Sequence, residues 1–248
     1  MKALDLHRWD VTPAEAREIQ LRLRERMKLE DRLEKVEHVA GADIALELRG
    51  RGSWRTGEGR AIAGVIVYRF PEMQEVERAS SIQPLRFPYV PGLLSFREIP
   101  ALLAAFESLR TSPDLIFCDG QGYAHPRRFG LASHLGVLLD APSIGVAKSL
   151  LIGKCKEPGQ RAGSTAALID TATGEQIGAA VRAASGVRPV YVSCGNRISL
   201  ERAIEFTLAV ADRYRIPQPT READHFVNEL RRKRKALAAG AGGAERAG

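Results

Sequence analysis

Four carboxylates stand out by their surroundings. Asp43 interrupts the strand-like run "VAGADIALEL". An aspartate there is costly unless it is solvated at an edge, paired or bound to a cation, and its alternating neighbours Gly41 and Ala45 are small enough to leave room beside it. Asp119 follows the apolar run "DLIFC". Ligands of open α/β sheets gather outside the carboxyl ends of strands, although an aspartate before glycine also starts turns. Glu98 follows "LLSFR", where a charge favoured by a helix dipole competes with a ligand role. Asp224, in "PTREADHF", reads on its own as a helix-surface charge. Two or more of these groups meeting at strand ends would make an all-oxygen site, which prefers Mg2+, or Mn2+ in its place. Beside a basic surface, such a site suits phosphodiester hydrolysis. The ion polarises a phosphoryl oxygen, activates water and stabilises the leaving alkoxide.

Two loops could carry the substrate. In "DGQGYAHPRRFG", Gly120 and Gly122 let the backbone approach a phosphate or a base edge. His125 precedes Pro126 and is biased towards extended backbone. Arg127 and Arg128 either hold a nucleic-acid backbone or pair with acidic neighbours. The Gly-x-Gly spacing lacks the third glycine of a dinucleotide fingerprint. In "FPYVPGLLSFRE", Pro88 and Pro91 stiffen the chain on either side of Tyr89. A ring presented so rigidly either packs the loop onto the core or fills the gap left by an extruded base.

These residues need elements to position them. Thr12-Pro13-Ala14-Glu15 predicts a helix start with a capping box. The helix is expected to run on through Glu34, with Ile19, Leu23, Met27 and Leu33 inward. Three strands are predicted at "HVAGADIALEL", "AIAGVIVYRF" and "EVERASSIQP", the first two joined by the Gly- and Arg-rich loop "RGRGSWRTGEGR". Short connections favour an antiparallel meander. A helix from about Ile99 to Leu109, a strand at "DLIFC", a helix near "FGLASHLGVLLD" and a strand at "PSIGVAK" follow. Then come a hairpin turning at Thr173-Gly174, a strand at "VRPVYVSC" and a helix beginning at Ser199. The expected class is α/β: a mixed sheet, meander first and alternating helices and strands after it, flanked by helices. Residues 1–228 are expected to form one catalytic domain. Residues 229–248, basic and then Ala/Gly-rich, are expected to be a disordered tail and a non-specific nucleic-acid tether.

Composition narrows the partners. The net charge of +7 favours a polyanion. The three cysteines show no Cys-x-x-Cys spacing, which argues against a zinc site or a disulfide framework and for a reducing, cytoplasmic setting. No signal peptide is read at the N-terminus, and no apolar run nears the ~20 residues that span a bilayer. No apolar helix face is left unassigned, so a monomer is expected.

The segments "GADIA", "PYVPGLLSFRE", "DGQGYAHPRRFGLASHLGVLLDAPSIGVAKSLL" and "PTREAD", in this order, resemble the endonuclease V family, the deoxyinosine 3′-endonucleases. The resemblance runs roughly from Pro13 to His225 and implies a ribonuclease H-like fold. It implies that Asp43 and Asp119 bind metal and that Glu98 is the third acidic residue. The late ligand is then Asp224 or, with a one-residue shift, His225. It further implies that Tyr89, between Pro88 and Pro91, is a wedge against DNA, and that His125 and Lys148 lie near the scissile phosphate. Gly92, Leu94, Gly120 and Gly122 would line a pocket for the deaminated base, while Arg127 and Arg128 stay open between the DNA backbone and acidic neighbours. The implied reaction is Mg2+-dependent cleavage of the second phosphodiester 3′ to deoxyinosine, leaving a 3′-hydroxyl and a 5′-phosphate. One alternative is an inosine-specific endoribonuclease acting on single-stranded RNA, which the 2′-hydroxyl would distinguish. Further rivals are a non-catalytic nucleic-acid-binding module and a phosphatase of small esters, which would leave the basic surface and the Tyr89 loop without purpose.

Overall fold

The computed structural model describes residues 1–31, 33–48 and 58–244. Most of the predicted Gly- and Arg-rich loop lies outside the described residues. Strands β1 (His38–Leu48), β2 (Gly59–Arg69) and β3 (Gln74–Pro84) form the expected antiparallel meander. Strand β4 (Leu115–Asp119) runs parallel to β1, and β5 (Ser143–Ala147) runs parallel to β4. Strands β6 (Thr165–Ile169), β7 (Gln176–Val181) and β8 (Val190–Asn196) extend the sheet antiparallel. The order β3-β2-β1-β4-β5-β8-β7-β6 is one eight-stranded mixed sheet, in the ribonuclease H-like arrangement expected. The β6–β7 hairpin turns where predicted, with Gly174 at a positive φ of 73°.

Helices cover both faces. On one, α2 (Leu94–Glu107) and α3 (Leu131–Leu139) pack Leu102, Phe106, Leu135 and Leu138 onto Ala40, Ala42, Ile116 and Cys118. On the other, α4 (Leu200–Ala209) sets Ala203 and Phe206 among Val39, Phe117 and Val146. The same face carries α5 (Gln218–Ala244), which lies along β1 and β2.

Three boundaries differ from expectation. Helix α1 (Pro13–Arg24) has the predicted capping box but ends well before Glu34. The chain turns there so that Lys28 N–H donates to the Asn196 side chain (3.1 Å) and Lys28 C=O accepts from Arg197 N–H (2.6 Å). Met27 and Leu33 still pack inward, from the segment after the helix. Helix α2 begins at Leu94 rather than near Ile99, with Pro100 inside it. The bond lost at proline is offset by burial of Ile99, Leu102 and Phe106. The stretch 229–248, expected to be disordered, is helical through Ala244. Its Arg, Lys, Leu and Ala residues favour helix, and Glu229–Lys233 (2.6 Å) and Glu47–Arg234 (3.6 Å) ion pairs support it.

Candidate active site

The parallel register of β1 and β4 pairs Val39 to Ala42 with Leu115 to Cys118. One step further along, Asp43 and Asp119 stand abreast. Paired residues share a sheet face, so both carboxylates project the same way on strands about 4.8 Å apart. That face is occupied by α5, seated on two glycines. A Cβ at Gly41 would lie 1.9 Å from the Pro219 carbonyl oxygen, and one at Gly64 would lie 2.7 Å from Val227 Cγ1. Gly64 is the β2 partner of Asp43. The room read beside Asp43 is therefore filled, by the helix that brings Asp224. One carboxylate oxygen from each of Asp43, Asp119 and Asp224 lies within 4.8 Å of the others. Lys148 follows β5 on the same face and bridges two of them, with Nζ 2.5 Å from Asp119 and 3.4 Å from Asp224.

Burial, and then the neighbouring Asp119, pushes the Asp43 carboxyl up to about 8. Burial also raises Asp119, against the pull of the Lys148 ammonium. Glu98 on α2 is outside the triad but close enough to feel it. Its carboxyl is pushed up to about 8 by burial, then by Asp43 and Asp119. Carboxylates crowded this closely share a site only with a proton or a cation between them. An oxygen-only donor set of this kind fits a hard divalent cation. Asp224, not His225, joins the group. His225 is exposed, and its ring lies 3.6 Å from Glu222.

Beside the triad lies a cavity of about 420 Å³, walled by Tyr89, Pro91, Gly92, Leu94, Asp119, Gly120, His125 and Lys148. Tyr89 is 47% exposed at its rim. Four predicted roles change here. His125 is buried, with both ring nitrogens engaged: Nε2–H donates to Gly92 C=O (3.0 Å), and Nδ1 accepts from Arg127 N–H (3.2 Å). Burial and then Arg127 lower its pKa to about 4, so it is neutral and ties the glycine loop to the Tyr89 loop. Arg127 is drawn inward to Gln20 (2.5 Å) and to Gly92 C=O (2.6 Å). Arg128 is buried against Asp170 and Glu175, which resolves its two readings in favour of acidic neighbours. Gly122 is buried behind the cavity. Its N–H donates to Ser193 Oγ (3.0 Å), and a Cβ would meet Cys194 C=O at 2.1 Å. Sequence reasoning missed Gln20, a buried polar residue on α1 that donates to the carbonyls of Gly92 and Phe129, both at 3.1 Å. Ser149, Leu150 and Leu151, just past Lys148, also line the cavity unforeseen. A glutamine on an amphipathic helix gives no sequence signal that it faces inward.

The family model described as endonuclease V matches residues 21–225. The chain belongs to the endonuclease V family. An endonuclease V from Nostoc punctiforme is 48% identical over 229 residues, covering 92% of this chain and 99% of that protein. The crystal structure of endonuclease V from Bacillus subtilis superposes with a TM-score of 0.88 at 30% identity, covering 96% of this chain and 100% of the other. Endonuclease V from Ciona intestinalis, in complex with a 24-mer DNA containing an inosine followed by a ribo-adenosine, superposes with a TM-score of 0.76 at 31% identity, covering 89% and 98%. As a member of this family the protein is a metal-dependent nuclease of the deoxyinosine-repair type, and an acidic triad that could hold a metal ion is present.

Proposed function

We propose that Asp43, Asp119 and Asp224 hold the Mg2+, or Mn2+ in its place, with which this endonuclease V cleaves the second phosphodiester 3′ to a deoxyinosine in DNA. The products are a 3′-hydroxyl and a 5′-phosphate. The observation that carries the reading is the triad at the lip of a cavity of about 420 Å³, within the size range of small-ligand pockets. When bound, the cation supplies Lewis acidity to the phosphoryl oxygen and lowers the pKa of water. The chain's own residues do the rest. Tyr89, stiffened by Pro88 and Pro91, fills the stack beside the extruded base. A mismatched base costs less to extrude, by up to a few kcal/mol, which aids selection. Gly92, Leu94 and Gly120 wall the base, and neutral His125 fixes the Gly92 carbonyl in that wall. Lys148 orients Asp119 and Asp224 and adds positive charge where the phosphate must come. Glu98 supports the triad from α2 and holds a proton until a cation enters.

The protein is proposed to act as a cytoplasmic monomer, with residues 1–228 as its catalytic unit. No helix among the described residues is long and apolar enough to cross a membrane. One gel tests the reading. End-labelled duplex DNA and single-stranded RNA, each with one inosine, are incubated with Mg2+ or with EDTA. The expected result is one nick in the DNA, at the second bond 3′ to the lesion, absent with EDTA and absent for Asp119→Asn. Cleavage of the RNA alone would replace the DNA reading with the ribonuclease one. A nick that survives Asp119→Asn would overturn the ligand assignment.

A further inference from the structure

The family match ends at residue 225, early in α5, yet the helix continues to Ala244. Its first turns are held by packing: Ala223 and Val227 are fully buried, and Leu230 packs beside Val227 against Ala45 and Ile62. Past Leu230 that cover ends, and Leu237 is 75% exposed. In between stands Arg231-Arg232-Lys233-Arg234-Lys235, with no acidic residue among them. The run divides by face, with exposed Arg232 between the two faces. Lys233 bonds Glu229 (2.6 Å) and Arg234 approaches Glu47 (3.6 Å), so both are committed within the protein. Among the described residues, Arg231 donates only to the neutral Asn228 side chain (2.8 Å), and Lys235 has no ion-pair partner. Helical periodicity puts Arg231 and Lys235 about two and three turns beyond Asp224, on the face that carries it, roughly 10 and 16 Å along the axis. Strand β4 stops at Asp119, level with the acidic triad, so it does not cover this flank of α5.

We propose that Arg231 and Lys235 form a track for the phosphate backbone of duplex DNA flanking the site, outside the part of the chain the family match covers. The placement of the DNA rests on the nuclease reading of the triad. One strand presents a phosphate about every 3.4 Å, so this reach spans about three to five phosphates. Charge chooses the partner. The track carries cations and a neutral spacer but no apolar anchor of the kind a protein interface needs. The helix spends its apolar stripe on the sheet as far as Leu230, and Leu237 is the one large apolar side chain exposed beyond it among the described residues, too little for a lipid surface.

The test is binding of the full chain to a labelled normal duplex in EDTA, followed by anisotropy as KCl rises from 50 to 200 mM. Each lost phosphate contact lowers the log–log salt slope by about 0.9, or about 3.5-fold in affinity over that range. Arg231→Gln/Lys235→Gln is expected to lower the slope by about 1.8, which shrinks the salt-induced loss of affinity about 12-fold. Lys233→Gln, on the opposite face, keeps the wild-type slope, as does the charge-preserving Arg231→Lys/Lys235→Arg. An unchanged slope in the neutral pair, or an equal loss in Lys233→Gln, overturns the track. The duplex carries no lesion and the metal is chelated, so the readout is independent of deoxyinosine cleavage. Absence of nicking by the wild type would sink the proposed function without altering this slope.

Discussion

Asp43 and Glu98, both pushed up to about 8, each hold a proton at neutral pH while no cation is bound. In the unfolded chain such groups ionise near about 4. Between about pH 4 and 8 these two carboxyls bind more protons in the folded state than in the unfolded one, whereas His125 and the buried His134, held neutral in the fold, bind fewer below about pH 6.5, so the net fall in stability comes as pH rises from about 6.5 to 8. The chelated protein is expected to melt at lower temperature at pH 8 than at about pH 6.5. Asp43→Asn should flatten that decline and melt higher than wild type at pH 8, by roughly 2–4 °C for each kcal/mol relieved, while losing all nicking. A wild-type midpoint constant across this range under chelation contradicts the crowding. Cation and proton compete for the same oxygens, so nicking at subsaturating Mg2+ should climb towards pH 8 and saturating Mg2+ should move the curve to lower pH. Arg128 carries a different expectation. Arg128→Ala should lower the melting midpoint by several degrees, because Asp170 and Glu175 lose their cation, yet leave the salt slope of DNA binding unchanged. A slope reduced by about 0.9 would return Arg128 to the DNA surface. Asp43 and Asp119 were conspicuous because a carboxylate in or closing an apolar strand is costly, whereas Asp224 read on its own as a helix-surface charge and came forward only through the family resemblance. The roles of His125, Arg127, Arg128 and Gly122 were not legible, because each is decided by partners distant in sequence, such as Gly92, Gln20, Asp170 and Ser193.

The strands were readable from alternation and turn chemistry, and β1 appears with its predicted bounds. The helices were readable in kind but not in extent. Pro100 disguised the start of α2, and docking on Asn196 ended α1 early. The long α5 hid behind an Ala/Gly-rich composition that reads as loose. Yet α5 completes the triad, and its seat is Gly41 and Gly64. Gly41→Ala should therefore push the helix off the sheet without touching a carboxylate. Apparent Mg2+ affinity should fall at least tenfold, with nicking partly restored at high Mg2+, and the melting midpoint should drop. If Mg2+ dependence stays as in wild type, the glycine seat does not control where Asp224 stands.

Taken whole, the molecule gathers its site from β1, β4 and α5, so a bound cation would staple three separate parts of the fold. Ligand linkage gives about 2.7 kcal/mol at a hundredfold excess over Kd, or roughly 5–10 °C in melting midpoint. Mg2+ or Mn2+ should raise the wild-type midpoint by that order, and Asp224→Asn should lose most of the rise. An equal rise in the variant would put the ion elsewhere. The sheet order was foreseeable in outline from a meander followed by alternating elements, but the meeting of Asp43, Asp119 and Asp224 needed the β1–β4 register and the path of α5. That path has a consequence in time as well as in space. The third carboxylate is on α5, which follows all eight strands in the chain, so during synthesis every strand of the sheet is made before the triad can close. A chain cut short before α5 would carry Asp43 and Asp119 without the third carboxylate, and is expected not to nick DNA.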